Sequence, residues 1–246
     1  TKMDPSFFLS FVPADSHKVS FSSSFAVNQI PEELRQEITE KISAYNSISV
    51  REQRGQEIVK ELIGKEVPVT VDPTLTLDFR EWGKLINAPK RKEKYIFLYM
   101  LDYAYNPAPY IYELVEHLQK KTGFIVFSNV EMPKSLGIRY HSVADAGIEE
   151  FLQLIRDSAL VVTSSFHGVA FSVNFGVPLL AVVPQEPQAD TRLSSLLEQL
   201  ELRKSIVRVG STFEGLDGKY DKDREQRLLS DLRRDSIDYL RVALSN

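Results

Sequence analysis

The 246-residue chain contains no cysteine, which excludes disulfides, thiol catalysis and zinc–thiolate sites. Its four histidines, His17, His117, His141 and His167, stand far apart without HExxH-type spacing, so no protein-bound transition metal is expected. Neither GxGxxG nor GxxxxGK(S/T) occurs, leaving dinucleotide and P-loop phosphate binding without support. No apolar run approaches the ~20 residues that span a bilayer. The start, Thr1-Lys2-Met3-Asp4-Pro5, has neither the basic nor the apolar region of a signal peptide. Thr1 in place of an initiator Met leaves room for an upstream segment. An excess of basic charge is also missing. Thirty basic against 34 acidic residues leave a net charge of −4, which argues against nucleic acid as the main partner. What remains, 43% hydrophobic and 26% charged, is the composition of a globular chain.

Strand and helix signals alternate almost from end to end. Lys18–Ser22 alternates as a strand, and Pro31–Ala44 carries Leu34, Ile38 and Ile42 at helical spacing behind a proline. Ser47–Val50 reads as a strand, Arg54–Ile63 as a helix stopped by Gly64, and Val67–Val71 as a third strand closed by Asp72-Pro73. Beyond the basic stretch 87–94, Tyr95–Leu101 is a strong strand. It is followed by a helix at Ala108–Lys121, a strand at Phe124–Phe127 and a helix at Ile148–Asp157. Arg192–Leu200 is a further helix, Ser205–Val207 a short strand and Lys222–Ala243 a long final helix. Such alternation specifies an α/β fold with a mostly parallel sheet. The expected organisation is an incomplete N-terminal Rossmann-like lobe over 1–88 and a fuller one over 89–220. A C-terminal helix, 221–246, carries enough apolar surface to brace the first lobe. The incomplete lobe leaves a sheet edge or face that invites self-association into a homo-oligomer.

Residues 159–183 carry the densest functional signal. A buried strand, Leu160–Thr163, ends in Ser164 and Ser165. Phe166-His167-Gly168 opens a helix, and a Phe175-Gly176-Val177-Pro178 turn returns the chain into the strand Leu179–Val183. This βαβ unit puts two hydroxyls and an imidazole at the carboxyl end of a parallel strand, where ligands bind and a helix N-terminus faces anions. A helix cap at Ser164 or Ser165 and a satisfied structural histidine would account for the same residues.

Three further positions follow strands and could face the same cleft between lobes: Ser24 within Ser22–Ala26, Arg51 after Ser47–Val50, and Arg192 after Val183. The planar fork of arginine suits carboxylate and phosphate. Arg51 could equally close a salt bridge, and Arg192 could be a solvated helix start. An arginine at a helix N-terminus opposes the helix dipole, which hints at another use. Two arginines and an imidazole suit a small di- or trianionic substrate.

Several runs resemble the polysaccharide pyruvyl transferase family in order and spacing. They are Ile48-Ser49-Val50-Arg51-Glu52, Asp72-Pro73-Thr74, Glu150-Phe151-Leu152 and Val162-Thr163-Ser164-Ser165-Phe166-His167-Gly168, with Thr191-Arg192-Leu193 ahead of Ser195-Leu196-Leu197. Lys18–Phe21 running into Ser24-Phe25 is similar to that family's strand-to-loop segment, and Leu232-Arg233, Ser236 and Tyr239-Leu240 to its last helix. The resemblance extends over essentially the whole chain but starts part-way into the family domain, without its glycine-rich opening. Ala26 stands where the family usually has Gly, Ile148 where Pro often follows Gly147, and Gln185–Gln188 forms an unusual loop.

The resemblance implies two Rossmann-like lobes similar to the GT-B fold and transfer of pyruvate from phosphoenolpyruvate onto two hydroxyls of a sugar. It implies His167 as acid/base and Arg51 and Arg192 as anion clamps. Ser24, Glu150, Ser164, Ser165, Phe166 and Gly168 would line the substrate site. No cofactor is implied beyond phosphoenolpyruvate as donor. The acceptor would be a saccharide of a surface polysaccharide, free or lipid-linked, and the setting cytoplasmic, either free or peripheral at the inner face of the membrane. Two other classes fit the same residues: a nucleotide-sugar-dependent GT-B glycosyltransferase with Glu150 on the ribose, and a non-catalytic sugar-binding remnant.

Overall fold

In the computed structural model, which describes residues 4–102, 105–186 and 192–245, the chain divides into two compact units. One comprises Thr1–Thr76 with Asp231–Asn246, the other Leu77–Ser230.

The first unit is built on two parallel strands, β1 (Val19–Ser23) and β2 (Ser47–Val50), joined through helix α1 (Glu32–Ser43). Helix α2 (Gln53–Ile63) follows β2 and ends at Gly64, whose φ of +70° gives the left-handed cap that glycine adopts without strain. Ile38 and Ile42 of α1 meet Ile58 of α2 in a small core. The stretch Val67–Val71, expected to be a strand, makes a single parallel bridge between Val69 and Val50. Extending that ladder backwards would require an amide N–H at Pro68, which proline lacks. A short helix, α3 (Pro73–Thr76), closes this part.

The second unit begins with α4 (Phe79–Gly83). It continues as β3 (Tyr95–Tyr99), α5 (Tyr110–Thr122), β4 (Ile125–Ser128), β5 (Tyr140–Ser142), α6 (Ile148–Asp157), β6 (Leu160–Thr163), α7 (Phe166–Phe175), β7 (Leu179–Val183), α8 (Arg192–Gln199), β8 (Ile206–Arg208) and α9 (Lys222–Ser245). All six strands pair in parallel, in the order β5-β4-β3-β6-β7-β8. Strands β6 and β7 are buried throughout and β3 at all but its last residue, as expected where helices cover both faces. Alternation along β3 separates the two faces. Ile96 and Leu98 join Ile111, Leu114 and Leu118 of α5, whereas Phe97 and Tyr99 turn to Phe151 of α6. β5 went unforeseen because it is a three-residue edge strand with a half-exposed, polar pattern.

Residues 77–88 belong with the second unit, whereas the sequence groups them with the first. The physical reason is packing on α6 and α7. Asn174 donates to the Leu77 carbonyl at 2.9 Å, Trp82 stacks edge-on against Phe171 at 5.0 Å, and the Asn87 amide donates to Glu149 at 2.8 Å. At the other end, Gln226 donates to the Val173 carbonyl, so the start of α9 also belongs to this unit. The rest of α9 is part of the first unit. There Ser236 accepts from the Val71 amide, Tyr239 donates to the Ser20 carbonyl, and Arg233 donates to the Leu75 carbonyl.

Candidate active site

The order of the second sheet reverses between β3 and β6, so the crevice at their carboxyl ends is the position where open parallel sheets take ligands. The Ser-Ser-Phe-His-Gly run stands there. Thr163 donates to the Tyr99 carbonyl at 2.6 Å and accepts from the Ser165 amide at 3.0 Å. Ser164 joins both polar groups of Leu101, accepting from its amide at 3.0 Å and donating to its carbonyl at 2.8 Å. It thereby fixes the loop after β3. Ser165 caps α7, its hydroxyl accepting from the Gly168 amide at 3.4 Å. Both serines are buried, and the hydrogen bonds described are internal ones.

Gly168 permits this close approach. A Cβ there would lie 2.3 Å from the Thr163 hydroxyl, so any side chain would push the first turn of α7 off β6. Helix α7 is apolar on all sides and buried. From Leu160 to Asn174, His167 is the one exposed residue. A core histidine in such surroundings would be buried, whereas His167 is exposed in the first turn of a helix, with Phe166 edge-on at 5.6 Å. Arg192 opens α8, the helix after β7, and is half-buried. Glu150 lies in the first turn of α6, 3.6 Å from the Arg91 guanidinium. Topology therefore gathers these residues of the second unit along one sheet edge. Pro187, Gln188 and Thr191 lie outside the described residues.

Ser24 and Arg51 belong to the first unit, again at the carboxyl end of its parallel strands. Arg51 forms an ion pair with Asp72. Burial alone would push the Asp72 carboxyl up, but the Thr74 hydroxyl and amide, at 2.7 and 3.0 Å, together with Arg51 outweigh it and hold Asp72 below the usual range. Ser24 donates to Glu52 at 2.9 Å, and the Phe25 amide donates to the same oxygen at 3.2 Å.

Glu52 was not singled out as a site residue, although it stands beside Arg51 in the quoted run. Its signal is a carboxylate at a helix N-terminus, and only the structure shows it buried, with one oxygen lacking a hydrogen bond. Burial pushes its carboxyl above the ordinary glutamate value, against the opposing pull of Ser24, Arg51 and the Phe25 amide. A raised carboxyl binds its proton more tightly in the folded state. Its contribution is fully present below the unfolded value near 4.5 and is lost as pH rises through the folded value. Glu52→Gln is therefore expected to gain stability relative to the parent as pH rises through that range. Urea unfolding of both proteins across pH reads this, and parallel pH curves would show that folding leaves the proton affinity of Glu52 unchanged.

A comparison with family models finds the one described as polysaccharide pyruvyl transferase over residues 2–186. The chain belongs to that family. The match takes in Ser24, Arg51, Glu150 and the Ser164–Gly168 run, while Arg192 and the final helix lie beyond it. No curated protein matches the chain. Among solved structures, a Listeria monocytogenes protein described as a UDP-N-acetylglucosamine 2-epimerase aligns with a TM-score of 0.57 at 13% identity. The alignment covers 87% of this chain and 62% of that one. The apo structure of OtsA aligns with a TM-score of 0.50 at 12% identity, covering 93% and 65%. These likenesses show a fold of the GT-B type. The chain spans under two thirds of the length of either protein.

Proposed function

We propose that this pyruvyl transferase family member moves the pyruvyl group of phosphoenolpyruvate onto two hydroxyls of a saccharide, forming a cyclic ketal and releasing phosphate. The observation that carries the reading is the exposed His167, set in an otherwise buried strand–helix junction at the switch point of the sheet, inside the stretch that matches the family. In the reaction, the His167 imidazolium donates a proton to the methylene carbon of the donor, and the adjacent carbon becomes electrophilic. The first sugar hydroxyl adds to that carbon and returns its proton to the imidazole. The C–O bond to phosphate then breaks, the second hydroxyl closes the ring, and its proton leaves with phosphate. Such acid/base assistance supplies about 10²–10⁴-fold. Arg192, in the same unit as His167, grips an anionic group of the donor, orienting it and offsetting its charge, and Arg51 is assigned as a second anion clamp on the strength of the family resemblance. Glu150, Phe166 and the Ser164–Ser165 elbow shape the pocket around donor or acceptor. The setting proposed for this reaction is the cytoplasm.

Arg192→Lys keeps the charge but loses the paired geometry. With one charge-assisted hydrogen bond gone, the phosphoenolpyruvate KM is expected to rise about tenfold or more, measured as phosphate release with a saccharide acceptor. An unchanged KM would remove Arg192 from the donor site. The GT-B type of fold equally suits a nucleotide-sugar-dependent glycosyltransferase. Thermal stabilisation by a nucleoside diphosphate and none by phosphoenolpyruvate would favour that reading, and stabilisation by saccharide alone a sugar-binding role.

A further inference from the structure

The exposed apolar side chains of the second unit are not scattered. Among its described residues the large exposed ones are Leu77, Phe79, Leu85 and Ile148, at 46%, 45%, 49% and 76% exposure. Three lie in one nine-residue stretch around α4. The fourth adjoins Glu149, whose carboxylate accepts the Asn87 amide just beyond that stretch. The chain then runs on through Lys90, Lys92 and Lys94, all exposed. No ion pair holds these three lysines among the described residues, whereas Arg91 is turned inward to Glu150 and the Phe127 ring. Residues 77–94 hold six basic and three acidic side chains, a local charge of +3 in a chain of −4.

This display is anchored. Trp82 packs on Phe171, Gln153 donates to the Pro89 carbonyl at 3.0 Å, and Asp157 accepts from the Arg91 amide at 2.9 Å. The lysines and apolar groups thus stand on a segment fixed to α6 and α7. Cations alone would suit any polyanion. Exposed aliphatic and aromatic groups beside them add a requirement that a nucleic acid backbone does not meet and the headgroup–acyl boundary of an anionic bilayer does.

We propose that the segment 77–94 is a membrane-surface docking element whose partner is an anionic phospholipid bilayer. The lysines lie over the headgroups, while Phe79 and Leu85 enter the interface. The proposal stands independently of the chemistry at His167.

Co-sedimentation of the whole chain with vesicles tests it, comparing phosphatidylcholine alone with phosphatidylcholine containing phosphatidylglycerol. Binding is expected only to the anionic vesicles and to weaken with salt. Lys90→Glu/Lys92→Glu/Lys94→Glu is expected to lower the partition coefficient by about 100-fold, on the scale of the surface attraction per lysine. Phe79→Ser/Leu85→Ser should weaken the binding that survives high salt. Circular dichroism confirms that each variant is folded. No binding by the parent chain would overturn the proposal, as would binding indifferent to the lysine reversals. Retention on heparin that ignores the Phe79 and Leu85 changes, without vesicle binding, would assign the patch to a polyanion instead. A chain inactive as a transferase that still binds anionic vesicles leaves the proposal standing. An active chain that does not bind them defeats it.

Discussion

Replacement of His167 by Ala or Gln is expected to lower pyruvyl transfer by about 10²–10⁴-fold while leaving the fold intact. The structural half of this expectation rests on exposure. His167 is exposed while its neighbours on either side are buried, so its truncation opens no core cavity of the kind that makes buried truncations costly. The helix start does not depend on it either, since Ser165 supplies the cap and Gly168 the close approach to Thr163. The Gln variant keeps hydrogen-bonding capacity without the ability to titrate, which separates proton transfer from contact. Phosphate release and ketal formation should fall together in both variants, with melting temperatures close to the parent. Retention of most of the kcat would remove His167 from the chemistry. Loss of the fold would make it a structural residue after all.

The largest stability effect is expected at Arg51 and Asp72. Asp72 is buried, with its side chain 4% exposed, and Arg51 is largely so at 16%. Removing one member of such a pair leaves a buried charge without its counterion, which costs about 3–5 kcal/mol. Arg51→Ala should therefore destabilise the chain by an amount near the lower end of that range. Asp72 keeps its two bonds from Thr74 and so retains part of its stabilisation. Because the Asp72 carboxyl is held below its unfolded value near 3.8, its contribution is present above that pH and is lost as pH falls through the folded value. Arg51→Ala should flatten this acid limb of the stability curve.

Arg51→Lys separates the two roles proposed for the residue. It preserves the charge beside Asp72 but not the fork that would grip a donor anion. Near-parent stability with weakened phosphoenolpyruvate binding would support a donor clamp that Asp72 orients. Unchanged donor affinity would leave the pair as structural only. Urea unfolding and donor titration on the same preparations decide between these outcomes.

Much of the fold was legible in the linear sequence because it is written in uninterrupted apolar runs. Leu160–Thr163 and Leu179–Val183 became strands with the boundaries their composition suggested, and Ile148–Asp157 a helix likewise. A strand buried on both faces has no alternative use for such a run. The sequence also determined the strand–elbow–helix form of the Ser164–Gly168 segment, since two hydroxyls followed by glycine at a strand end specify a cap and a tight approach.

Other features depended on partners remote in sequence. Whether Val67–Val71 could pair as a full strand turned on one missing amide, at Pro68, opposite β2. Residues 77–88 followed α6 and α7 because Trp82 and Asn87 found partners more than sixty residues away. The basic stretch 87–94, polar and proline-bearing, reads as the boundary and so leaves 77–88 with the first lobe. The burial of Glu52 and the engagement of Arg51 by Asp72 likewise required the ends of β2 and the segment after Val71 to meet. A charged side chain in a sequence is compatible with solvent, an ion pair or a ligand, and local pattern weighs these about equally. Only tertiary packing, by setting which charges lose their water and which opposite charge replaces it, decided that Arg51 is paired, Glu52 buried and His167 exposed.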